Sequence, residues 1–239
     1  MPDIHIGLLL FPDLTQLDLT GPYEVFRKTP GIVTHLLAPG LEPVRAESGL
    51  RLLPDTTFAD CPPLDVICVP GGPGVNAAME DEELLRFLRA QATGARYVTS
   101  VCTGALVLGA AGLLQGRRAT THWTVHDLLA AFGAIPVQER VVRDGNLVTG
   151  GGVTAGIDFA LTLVAELLGA SVAQSVQLGL EYAPAPPFQA GTPQTAPAEI
   201  LQAVRARGAA MRARREEIIK RVTERPGLRP GPARGHKAP

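Results

Sequence analysis

Residues 97–114 read YVTSVCTGALVLGAAGLL. Tyr97 to Val101 is a short run rich in β-branched residues, the composition of a buried strand. From Thr103 to Leu114 the residues are small and apolar, which suits a closely packed helix. A strand that becomes a helix within one or two residues is the start of a βα unit, and Cys102 stands at the turn.

Working outward, the alternation repeats. Upstream, Glu82 to Ala92 places Leu84, Leu85 and Leu88 at helical spacing. Asp65 to Val69 (DVICV) is a buried strand that stops at Pro70-Gly71-Gly72-Pro73-Gly74. Further back, Val44 to Leu53 reads as an antiparallel excursion and Val33 to Ala38 as a strand. Gly21 to Lys28 reads as a short helix with Pro22 in its first turn, and Ile4 to Phe11 (IHIGLLLF) as the opening strand. Downstream, Val137–Arg143 and Leu147–Thr149 flank the turn Asp144-Gly145-Asn146. Three helices then follow, at Ala155–Leu168, Ser171–Leu180 and Ala198–Glu224. This order predicts an α/β fold, a mostly parallel sheet with helices on both faces. Ligands of such sheets bind beyond the carboxyl ends of the strands. The loops Pro12–Thr20 and Pro70–Gly74 and the turn at Cys102 share that rim.

The 239 residues are 46% hydrophobic and 19% charged, enough for a sizeable core. Charge is uneven along the chain. Residues 1–202 hold 11 Lys/Arg against 20 Asp/Glu, while residues 203–239 hold 11 against 3. The division expected is an α/β domain over 1–197, a basic helical extension over 198–225 and a flexible Pro/Gly-rich tail over 226–239. The basic helix is expected to dock through Ile200, Leu201 and Val204 on its own acidic body or a second subunit's, leaving the chemistry at Cys102 untouched by its removal. No apolar run reaches the length of a membrane span. Cys61, Cys68 and Cys102 form no CxxC pair, which excludes a zinc or dithiol motif. An odd thiol count without a leader fits a cytoplasmic protein.

Cys102 is the foremost chemical candidate. A helix N-terminus offers unpaired amides and partial positive charge, which predicts a stabilised thiolate. The alternative is a buried structural thiol, the reading adopted for Cys61 and Cys68. Asp18, in Leu17-Asp18-Leu19-Thr20-Gly21-Pro22, is open between an acid/base on the rim and a helix cap. Glu24 reads as an exposed or capping acid. The Pro70–Gly74 loop can present backbone amides to developing negative charge. Gly150-Gly151-Gly152 reads as close packing. His122 and His126 lack the further ligands a metal site needs, although His122 can line the pocket.

These segments resemble the ThiJ/PfpI superfamily. The resemblance runs from Ile4 to about Leu180 through LDLTGPYEVF (17–26), VPGGPG (69–74), SVCTGALVLGAAGLL (100–114), RRATTHW (117–123) and GGGVTAGIDFAL (150–161). It implies a flavodoxin-like, doubly wound sheet. Thr103, where the superfamily's proteases carry histidine, argues against peptidase chemistry, and Asp18 stands where the deglycase branch carries glutamate. Within the superfamily the chain is most similar to the isonitrile hydratases, which implies a small-molecule isonitrile as substrate. The implied residues are Cys102 as nucleophile, Asp18 as acid/base and Thr103 as a supporting hydroxyl and amide. Gly72 and His122 would border the substrate. The resemblance further implies a homodimer, and no cofactor, metal, nucleic acid or membrane partner is expected. The competing readings are a glyoxalase- or deglycase-like enzyme of the same fold, a stress sensor oxidised at a low-pKa Cys102, and a DNA-binding regulator. Some 50 residues after Ala190 are too few for the two helix-turn-helix units the last would carry.

Overall fold

The computed structural model describes residues 3–225, so the tail expected to be flexible, 226–239, lies outside the described residues. The chain runs β1 (Ile4–Leu9), α1 (Gln16–Arg27), β2 (Ile32–Ala38), β3 (Val44–Arg45), β4 (Arg51–Leu52), β5 (Thr56–Thr57), β6 (Val66–Val69), α2 (Val75–Ala78), α3 (Glu82–Gly94), β7 (Tyr97–Val101) and α4 (Gly104–Ala110). There follow β8 (Arg118–Ala119), a 3-10 helix (Trp123–Phe132), β9 (Ile135–Pro136), β10 (Val141–Asp144), β11 (Leu147–Gly150), α5 (Ala155–Leu168), α6 (Ala170–Gly179) and α7 (Ala198–Thr223).

Seven strands form one sheet in the order β10-β11-β7-β6-β1-β2-β5. Every pairing is parallel except that of β10 with β11, which is antiparallel. The chain leaves β1 for β2 on one side and returns to β6 on the other. The crevice at this reversal, beyond the carboxyl ends of β1 and β6, is where open α/β sheets place their sites. β7 is paired to β6 in register, Val69 opposite Ser100, so its end comes level with the same crevice. Ile6, Leu8, Ile67 and Val69 are fully buried between the helical layers, as the near-continuous apolar strands require. Among the described residues, no helix is long and apolar enough to cross a membrane.

Three expectations change. α1 begins at Gln16, not Gly21, and Pro22 lies inside it. The proline's missing N–H normally breaks a helix; here its buried ring packs against Gly156 of α5, and tertiary packing overrides the local rule. The helix after Cys102 ends at Ala110. The third concerns α7. Ile200 is exposed, and the buried apolar residues are Ile218, Ile219 and Val222 near the other end. Those residues, with Arg215, fall at i, i+3, i+4 and i+7 and make one stripe. The basic surface of α7 and of the residues just after it meets acids of its own chain: Arg212 binds Asp127 with two hydrogen bonds, and Arg221 and Arg225 pair with Glu80 and Glu82. All of these are partly exposed, so each adds only about 0–1 kcal/mol; the apolar stripe carries the docking.

Candidate active site

Cys102 adopts φ 54°, the left-handed region. For a non-glycine residue this costs roughly 1–2 kcal/mol, and its neighbours hold it there. The Cys102 amide donates to the carbonyls of Gly151 at 2.8 Å and Gly150 at 3.1 Å. The Cys102 carbonyl accepts from the buried Thr121 hydroxyl at 2.7 Å. Sequence reasoning passed over Thr121, although it sits in RRATTHW. A buried threonine one residue from a candidate pocket histidine was the available signal.

Asp18 lies in the first turn of α1 and is fully buried. The cap reading fails, because the N-cap is Thr15 and the Asp18 side chain reaches across to the glycine loop. Its Oδ2 accepts from the Gly71 amide at 2.9 Å, whereas Oδ1 has no partner among the described residues. Burial pushes its pKa from 3.8 up to about 7, against the opposing pull of the Gly71 amide and the Cys102 thiol. Oδ1 is therefore the atom that can take a proton without giving up a bond.

The expected low-pKa thiolate is not what the geometry provides. Cys102 is 5% exposed. Burial first, and the Asp18 charge second, hold its thiol well above the ordinary range, and the Thr103 amide and hydroxyl only partly offset them. Desolvation outweighs the short helix N-terminus, so Cys102 rests as a neutral thiol beside a carboxyl group. That also removes the low-pKa premise of the sensor reading. Cys68 sits inside β6 with its thiol raised to about 12 by burial first and more weakly by the Asp18 charge, and half-buried Cys61 is raised by burial to about 11. Both are structural.

The loop amides are committed to the protein, which corrects the expectation that they face developing charge. Gly71 N–H binds Asp18, and Gly72 N–H binds the Thr103 Oγ1 at 2.9 Å. A side chain at Gly71 would lie 2.5 Å from the Thr103 nitrogen and 2.8 Å from Asp18 Oδ2, and Gly72 has φ 125°. Both positions therefore demand glycine. The loop thus orients the acid and the threonine toward the elbow. A groove of about 580 Å³ opens on its outer side, lined by Pro73, Asn76, Met211 and Arg214 among others. Cys102 is not part of that lining and remains in a water-poor interior.

His122 caps the 3-10 helix, its Nδ1 2.7 Å from the Thr124 hydroxyl. Burial and the nearby Arg215 charge keep the ring neutral by lowering its pKa. Gly152 lies against its Cδ2 edge. Among the described residues, no group of three or more His, Cys, Asp or Glu is gathered as metal ligands would be. Arg215 was missed altogether. It is buried on α7 and donates to the Gly72 carbonyl at 3.4 Å, which brings a cation to the loop that holds Asp18 and Thr103.

The DJ-1/PfpI family matches over residues 5–166. The chain is 62% identical over 226 residues to the isonitrile hydratase of Pseudomonas putida, taking in 95% of this chain and 99% of that one. A crystal structure of a ThiJ/PfpI family protein from Pseudomonas syringae superposes with a TM-score of 0.89 at 45% identity, over 92% of this chain and 91% of the other. DJ-1beta of Drosophila melanogaster superposes with a TM-score of 0.68 at 28% identity, over 76% and 100%. With the reversal in its sheet, the strained cysteine elbow and the acid beside it, this chain belongs to the DJ-1/PfpI family.

Proposed function

We propose that this protein adds water to an isonitrile to give an N-substituted formamide, with Cys102 as nucleophile and Asp18 as acid and base. The observation that carries the reading is the near full-length likeness to the Pseudomonas putida isonitrile hydratase. The buried thiol–carboxyl pair is chemically suited to it. The terminal carbon of an isonitrile must gain a nucleophile and a proton. Between them, Cys102 and Asp18 hold one exchangeable proton above about pH 7, since the first leaves near that pH and the second only at alkaline pH. In the reactive arrangement Asp18 Oδ1 carries that proton and Cys102 is the thiolate. Sulfur attacks the carbon as Oδ1 protonates it, giving a thioimidate. Ionised Asp18 then takes a proton from water, which adds to the same carbon. Asp18 passes that proton to nitrogen, the C–S bond breaks as the hydroxyl oxygen becomes the carbonyl, and the hydroxyl proton returns to sulfur, so the formamide leaves with the thiol and the ionised acid restored. Thr103 supports sulfur through its amide and hydroxyl, Gly72 keeps that hydroxyl in place, and His122 borders the substrate as a neutral ring. Neither metal nor organic cofactor enters this scheme.

The test is formamide release from a simple alkyl isonitrile, followed by chromatography. Turnover of isonitriles with no turnover of methylglyoxal is the expected result. The reverse selectivity would favour the glyoxalase-like alternative.

We further place the protein in the cytoplasm, in keeping with three unpaired thiols, and as a homodimer. Leu178, Phe188 and Ile200, in the stretch from α6 to the start of α7, are all exposed and suit a subunit contact. Light scattering should return twice the chain mass, and Leu178→Glu with Phe188→Glu should lower it. A monomer at micromolar concentration would refute the pairing.

A further inference from the structure

We propose that Arg215 is a positioning residue for Cys102: its buried guanidinium, bonded to the Gly72 carbonyl and lacking a carboxylate partner among the described residues, draws the shared proton from the cysteine onto Asp18.

A buried arginine normally has an acid beside it, because an unpaired buried charge is costly. The other arginines that bind the body from α7 and the residues just after it obey this rule, Arg212 with Asp127, Arg221 with Glu80 and Arg225 with Glu82. Arg215 is the most enclosed of them, 5% exposed. Yet its partners are neutral: Nε donates to Asn76 Oδ1 at 2.8 Å and Nη2 to the Gly72 carbonyl at 3.4 Å. Asn76 is buried too, and its Nδ2 donates to the Met211 sulfur at 3.3 Å, which turns its oxygen toward the guanidinium. The cation is therefore built into place.

The surrounding charges leave it one anion to serve. Asp127, on the 3-10 helix packed against α7, is taken by Arg212. Glu80 and Glu82 are taken by Arg221 and Arg225, and Asp81 caps α3 through the Glu83 and Leu84 amides. α4, also packed against α7, carries no charged residue. His122 stays neutral. Asp18 and Thr103 act directly on Cys102, and the Arg215 guanidinium, bonded to the Gly72 carbonyl, interacts with a charge on Cys102. In the state with one proton, the pair is either carboxylate and thiol or carboxylic acid and thiolate. Burial and Asp18 favour the first. A cation acting on sulfur favours the second, which is the form that attacks. Only the position of one proton changes.

The catalytic consequence rests on the hydratase reading, but the test needs no isonitrile. Iodoacetamide alkylation of Cys102, followed at its own peptide by mass spectrometry, is measured across pH in the full chain. Arg215→Met, which replaces the charge with an apolar stem, should slow alkylation at neutral pH about tenfold and move the profile upward by about one pH unit. Arg215→Lys should recover most of the rate. Asn76→Asp keeps the acceptor for Nε but gives the guanidinium a carboxylate, and it should slow alkylation as well. A native profile in Arg215→Met, or equal slowing in the Met and Lys variants, overturns the proposal. Should Arg215→Met fail to fold, an unchanged profile in Asn76→Asp overturns it alone.

Discussion

Cys102→Ala is expected to release no formamide above the uncatalysed rate, a loss of roughly 10⁴-fold or more for a residue that bonds to substrate. The fold should survive, because the change removes a single sulfur. Cys102 is buried, so a small void and a lost contact cost about 1 kcal/mol. The strained φ remains, held by the Gly151 and Thr121 hydrogen bonds, which involve only backbone atoms of residue 102. Chromatography of the product beside a thermal melt separates the two effects. Cys61→Ala and Cys68→Ala are the controls and should keep turnover near the native rate, since neither thiol touches the acid. Native-like release by Cys102→Ala would end the nucleophile assignment.

Asp18→Asn should cost about 10²–10⁴-fold in kcat/KM, the span associated with a positioned acid or base. The amide oxygen can still accept from the Gly71 N–H, so the loop stays in place while the proton donor is lost. The native kcat/KM should rise with pH to a plateau above about 7, where the pair holds one proton. The variant should lack that acidic limb. Stability moves the other way. The folded pKa of Asp18 lies above its ordinary value of 3.8, so ionisation opposes folding. The penalty is absent below pH 3.8, grows between there and about 7, and is constant above. Its upper bound is about 4 kcal/mol. Asp18→Asn should therefore be as stable as the native protein or more so at pH 8, with the advantage vanishing near pH 4. Denaturant titrations at the two pH values check the sign. A variant less stable at pH 8, with activity per folded molecule unchanged, would make Asp18 a purely structural residue.

The parallel sheet was legible because its strands are short apolar runs ended by glycine, proline or a helix start, and the elbow at Cys102 followed from one such junction. The state of the thiol was not legible. A helix N-terminus is a local feature, whereas burial and the approach of Asp18 are set by packing between distant segments, and burial is the larger effect. Asp18 was open between two roles for the same reason, since its partner Gly71 is 53 residues away. Arg215 was hidden among arginines of similar spacing. The stripe it shares with Ile218, Ile219 and Val222 was readable as a charge on an apolar face, and that pattern marks a buried cation. The face named in its place, at Ile200, Leu201 and Val204, lies on the exposed end of the helix, where nothing among the described residues covers Ile200.

The separations within this constellation bear on how the protein comes to be folded. Asp18 meets Gly71 across 53 residues, Gly72 meets Thr103 across 31, and Arg215 meets Asn76 across 139. Closing such loops is entropically costly and belongs to the slow part of folding. The elbow is local and can form with β7 and α4, but the acid and the cation reach it only when the sheet is complete and the last helix has docked. A chain emerging from the ribosome therefore carries an ordinary thiol until its final segment is in place. The setting of this thiol is a property of the finished tertiary structure, and no fragment ending before α7 completes it.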